Sequence, residues 1–135
     1  MKKLDRRSAL TIGLAAASAA VVKPAAAQTT DYKDTTVAPG IVNRVYGEGP
    51  SMIPGFKTVT LREIIFQPGS KQPETNRMMN PMVCHITEGE LQLVQDGKTT
   101  TVKKNSVWTC NTGTVEHAVN AGTVVAIMRI TDLKV

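Results

Sequence analysis

A chain of 135 residues is long enough for one compact domain and too short for two. Its formal net charge of +5 is concentrated at the front, where residues 1–27 hold Lys2, Lys3, Arg6, Arg7 and Lys23 against the single acid Asp5. Without that segment the 16 basic and 11 acidic residues become 11 and 10, net +1, with no basic block and no aromatic stripe, so nucleic acid is not an expected partner.

Residues 1–27 have the three parts of an export signal. A charged start is followed by an apolar, Ala-rich run from Thr11 to Val22 and by the small-residue end Ala25-Ala26-Ala27. The run is shorter than the ~20 residues a membrane-spanning helix needs, so the mature chain is expected free of the membrane. Arg6-Arg7-Ser8-Ala9-Leu10 resembles the twin-arginine export motif, which implies a periplasmic protein cleaved near Ala27.

Gln28 to Gly40 is polar and Thr-rich without a period, and is expected to be a flexible arm (28–40) ahead of a domain spanning 41–135. Ile41 to Tyr46 alternates and predicts a first strand. Lys57 to Phe66 predicts a second, with Thr60 and Arg62 on one face and Val59 and Leu61 on the other. Pro68-Gly69 ends it. Met82 to Thr87 reads as a strand closed by Glu88-Gly89. Leu91–Gln95 and Lys98–Lys103 flank Asp96-Gly97, a pairing that favours a tight hairpin because both turn residues must take positive φ. Ser106–Cys110 is a short strand, and the β-branched run Thr123–Thr131 predicts a buried central one. No helical period is found in the mature chain. Many short strands separated by turns mean an all-β sandwich or barrel.

The spacing of Gly69, Thr75, Arg77, Met82 and Gly89 resembles the first signature of the cupin superfamily, and Asn105, Asn111, Gly113, Glu116 and Asn120 resemble the second. The resemblance implies a single cupin-type jelly-roll β-barrel, often paired as a homodimer. It also implies that the four ligand positions are Thr75, Arg77, Met82 and Glu116, where metal-binding cupins carry histidines and a carboxylate. One carboxylate, one hydroxyl, one thioether and a fixed cation do not suit a divalent first-row metal. No metal is therefore favoured at those positions.

With these ligands replaced, the expected function is binding of a small molecule, or an accessory role, in an exported cupin. A cupin-class isomerase or lyase acting on a sugar or organic acid is the alternative, with Glu116 as base. His117 would be a partner only if a bulge turned it inward, since neighbouring strand residues face opposite ways. Thr75, Arg77, Met82, Cys84, Glu116 and His117 are the pocket candidates, and an Arg77–Glu116 ion pair is expected where the metal would sit. Cys84 and Cys110 are the only cysteines, and in an oxidising compartment either a disulfide or two buried thiols is open. A further alternative is a periplasmic copper protein, because Met and Cys select copper(I); its ligands would come from Met78, Met82, Cys84 and Cys110.

Overall fold

The computed structural model describes residues 31–135, and the segment 1–27 expected to direct export lies outside them. Nine strands and no helix make up the described chain: β1 (Lys33–Ala38), β2 (Ile41–Pro50), β3 (Thr58–Phe66), β4 (Met82–Glu88), β5 (Glu90–Gln95), β6 (Lys98–Lys103), β7 (Val107–Cys110), β8 (Glu116–Val119) and β9 (Ala126–Lys134). They form a six-stranded sheet in the order β1-β2-β3-β9-β4-β7 and a three-stranded sheet in the order β6-β5-β8, antiparallel throughout. This is an all-β jelly roll. Alternate residues of the two inner faces, among them Ile41, Phe66, Ile86, Leu91 and Ile130, fill its core.

The chain changes sheets between β4 and β5 at one residue, Gly89. Its φ is +68°, and a Cβ built there would stand 2.6 Å from the Val125 carbonyl oxygen. Only glycine fits such a corner, because it needs both the left-handed backbone and the missing side chain. The expected hairpin is present between β5 and β6, with Asp96 at φ 50° and Gly97 at φ 73°.

Two elements depart from expectation. Residues 33–38 were expected in an unpaired arm, yet they form β1 along the edge of the large sheet. Asp34 stands opposite Arg44 and accepts two hydrogen bonds from its guanidinium, each 2.9 Å, while Arg44 also stacks on the Tyr32 ring. These cross-strand contacts supply what the segment's own pattern lacks.

The central strand begins at Ala126 rather than Thr123. Asn120, fully buried, donates from Nδ2 to the Phe66 and Val124 carbonyls (3.0 and 2.9 Å), and its Oδ1 accepts from the Gly122 N–H (3.0 Å). That clasp folds residues 120–124 into a turn, so the β-branched residues 123–125 stay exposed.

Candidate functional site

A cavity of about 520 Å³ opens at one end of the barrel, between the inner face of β2, β3 and β9 and the segment 72–80. That segment is laced to the loop and strand around β8. Met78 N–H donates to Thr114 O (2.8 Å), Gly113 N–H to Met78 O (2.8 Å) and Glu116 N–H to Asn76 O (3.0 Å). Asn76 Nδ2 returns a bond to Glu116 O (2.8 Å), and Gln72 Oε1 accepts from the Ala118 N–H (2.9 Å). The backbone beside the mouth is thereby held at several points, which pre-organises the side chains it carries.

Glu116 is 4% exposed and points inward from β8; His117 is half-buried and faces a separate depression with Glu74 and Val94. Burial holds the Glu116 carboxyl above its ordinary value, against opposing pulls from the Trp108 indole and the Cys110 thiol. Cys110 Sγ lies 3.8 Å from both Glu116 carboxylate oxygens. Trp108 Nε1 is buried beside this group without a hydrogen-bond partner of normal geometry.

Met82 and Cys84 are buried and line the cavity floor, with Met78 half-buried above them. Met79 is largely exposed at the rim. Thr75 is exposed and does not line the cavity.

Arg77 and Glu116 do not form the expected ion pair. Arg77 is exposed at the mouth, where its Nη1 donates to Gly113 O (2.8 Å), and no carboxylate among the described residues pairs with it. The inward-facing cation is Arg62 instead, whose guanidinium donates to Asp132 at 2.6 and 3.2 Å. Beside it Glu48 accepts from Lys134 Nζ (2.6 Å) and Thr60 Oγ1 (2.8 Å). Arg62 and Asp132 escaped the sequence reading, although both share strand parity with core residues (Ile64 and Phe66, Met128 and Ile130). An arginine and an aspartate in phase with apolar positions was the signal that could have found them.

Cys84 and Cys110 are both free thiols. Cys84 stands opposite Trp108 and Cys110 opposite Met82, so the two cysteines are diagonal neighbours on one face. Diagonal positions are ~7–8 Å apart, beyond the ~4.4–6.8 Å between Cα atoms that a disulfide spans. The Cys84 thiol is held well above its ordinary range by its hydrogen bond to Cys110 and by burial, and that same bond draws Cys110 down.

At the four cupin ligand positions the donor set does not fit a divalent metal. Two of the side chains, Thr75 and Arg77, face solvent, leaving one thioether and one carboxylate. No group of three His, Cys, Asp or Glu side chains among the described residues is arranged to hold a metal ion.

A small jelly-roll barrel with an open, partly polar mouth is the class that fold and site define. Solved structures place it among the cupins by fold. An RmlC-like cupin from Shewanella frigidimarina matches at TM-score 0.61 and 13% identity over 84% of this chain and 93% of its own. The polyketide cyclase RemF from Streptomyces resistomycificus matches at TM-score 0.62 and 18% identity (77% and 75%), and KdgF from Halomonas sp. at 0.60 and 12% (76% and 87%). No protein-family model matches the chain. No curated protein sequence matches it either. The chain has the cupin fold, shared with proteins of varied activity.

Proposed function

We propose that this small cupin-fold protein binds a small organic molecule in the barrel mouth through its own side chains, without a divalent metal at the family's ligand positions. The observation that carries this is the 520 Å³ cavity, walled by methionines and aliphatic side chains and ringed by polar groups on a held backbone. Arg77 at the rim has donors to spare for a polar or anionic ligand group. The reading includes export to the periplasm, with the mature chain free of nucleic acid and membrane, and pairing with a second copy.

Methionine-methyl NMR of the purified protein tests it, using a panel of sugars and organic acids and an extract of the native periplasm. A ligand should move the Met78, Met82 and Met128 signals and leave exposed Met52 alone. A molecule that fills the cavity should no longer bind Ile130→Trp. Silence from those three methyls across panel and extract would sink the reading.

An enzyme is the second reading, and Glu116 is the observation in its favour. A carboxyl held above its ordinary value in a cavity wall is suited to exchange a proton with a bound molecule. It lacks an evident partner, since His117 faces away. Turnover of a panel compound that is lost in Glu116→Gln while binding survives would establish it.

A further inference from the structure

Met82 and Cys84 line the cavity floor and Cys110 adjoins them across the β4–β7 ladder, and the small-molecule reading uses neither thiol. Met82 stands directly opposite Cys110 across the β4–β7 ladder, and Cys84 lies two residues along β4 on the same inward face. All three are nearly inaccessible to solvent, and the two thiols are diagonal neighbours on that face. Met78, half-buried, packs against the hydrophobic core to which all three belong. Met79 is excluded by its exposure at the rim.

We propose that Cys84, Cys110 and Met82 form a site for a soft monovalent cation, copper(I). Thiolate and thioether donors select that ion over zinc, iron or manganese, which prefer imidazole and carboxylate. The geometry favours a metal over a disulfide. Diagonal cysteines are too far apart for one S–S bond of ~2.05 Å. Two metal–sulfur bonds in series, each about 2.3 Å in the zinc case, span a wider gap than one S–S bond does. Met82, opposite Cys110 and two residues along β4 from Cys84, supplies a third sulfur.

The unpartnered Trp108 indole is the second, independent observation. Its buried N–H lies between Cys110 and the Glu116 carboxyl and has no acceptor of normal geometry from either. A metal-bound thiolate is anionic and accepts such a bond, the usual way a protein orients a metal ligand from behind. The Glu116 carboxyl, 3.8 Å from Cys110, opposes thiolate formation at both cysteines unless it keeps its proton, and Arg62 offsets part of this at Cys84. On binding, two copper–sulfur bonds replace two S–H bonds, two protons leave to solvent, and no electron is transferred. Cys84 and Met82 both line the main cavity, which gives the ion a way in.

The test is anaerobic titration of the reduced full chain with copper(I) against a chromophoric copper(I) chelator. One ion per chain should be held. Cys84→Ser and Cys110→Ser should each weaken binding by more than the ~100-fold that loss of an outer partner costs. Met82→Leu should weaken it less, and Met52→Leu, on the exposed loop, not at all. Tryptophan emission should change in step with occupancy. X-ray absorption of the wild-type complex keeps the outcome clear if a serine variant fails to fold: sulfur neighbours support the site, and a shell of nitrogen and oxygen alone overturns it. Failure of the wild-type chain to compete with the chelator, or binding that survives loss of both cysteines, also overturns it. The small-molecule reading stands or falls separately, on binding in metal-free protein.

Discussion

Arg62 and Asp132, seventy residues apart, hold each other through two hydrogen bonds of 2.6 and 3.2 Å on the inner face of the large sheet. They sit diagonally across the β3–β9 ladder, where Arg62 is opposite Ile130 and Asp132 opposite Thr60. Asp132 is almost fully covered, so its charge is tolerable only because the guanidinium meets it with both prongs. Removing either partner strands the other. Arg62→Met and Asp132→Asn should each cost about 3 kcal/mol, and the double variant should recover much of that loss. Urea unfolding of the four proteins gives the coupling. Additive losses would show the pair is not acting as a unit.

Arg77 makes the opposite case. It is exposed and bonded to a single carbonyl, so Arg77→Met should change stability by less than about 1 kcal/mol. A cycle of Arg77→Met with Glu116→Gln should show no coupling between them. A coupling as large as that of Arg62 and Asp132 would mean that the two side chains meet after all.

Glu116 has a pH signature of its own. Burial raises its carboxyl above the ordinary value of 4.5, so the folded protein binds this proton more tightly than the unfolded chain does. Its contribution is fully present below pH 4.5 and is lost as pH rises through the raised folded value. Glu116→Gln keeps a neutral group there and should lose that fall. Wild type minus variant stability, followed by urea unfolding from pH 4 to 8, should decline with pH. A difference that rises instead would show the carboxylate is stabilised in its charged form.

Two glycines separate backbone strain from steric exclusion. Gly97 has φ +73° with nothing within 4 Å of an added Cβ, so Gly97→Ala should cost about 1–2 kcal/mol from the left-handed backbone alone. Gly89 has a similar φ, but its added Cβ meets backbone atoms at 2.6 and 2.9 Å. Gly89→Ala should be clearly the more damaging, read as a larger drop in thermal midpoint. Equal drops would mean that the β4–β5 corner gives way easily.

The proposed export would rest on residues 1–27. Arg6→Lys with Arg7→Lys should leave precursor in the cytoplasm if the twin-arginine route carries the protein. Unchanged export of that variant, halted instead by inhibitors of general secretion, would assign it to the other route.

Much of the fold was legible because it depends on local properties of the backbone. Asp96-Gly97 announces its hairpin since few residues accept positive φ in succession; strand parity sets Glu116 and His117 on opposite faces, and the cupin-like spacing to Gly113 and Asn120 picks Glu116 as the inward one. The frame of glycines around Gly69, Gly89 and Gly113 is likewise local, each residue being at a positive-φ turn. Partner choice is a different kind of property. Parity places Cys84 and Cys110 on inner faces, but only the β4–β7 register makes them diagonal neighbours. Thr75 and Arg77 occupy ligand positions by spacing, yet the lacing of residues 72–78 onto 113–118 leaves both side chains toward solvent. The interior ion pair went to Arg62 and Asp132 because sheet order brings β3 beside β9. Asp34, set against Arg44, made a strand of a segment with no strand pattern. A residue's face follows from the period of its own strand; its partner follows from the register of another strand, which no local pattern encodes.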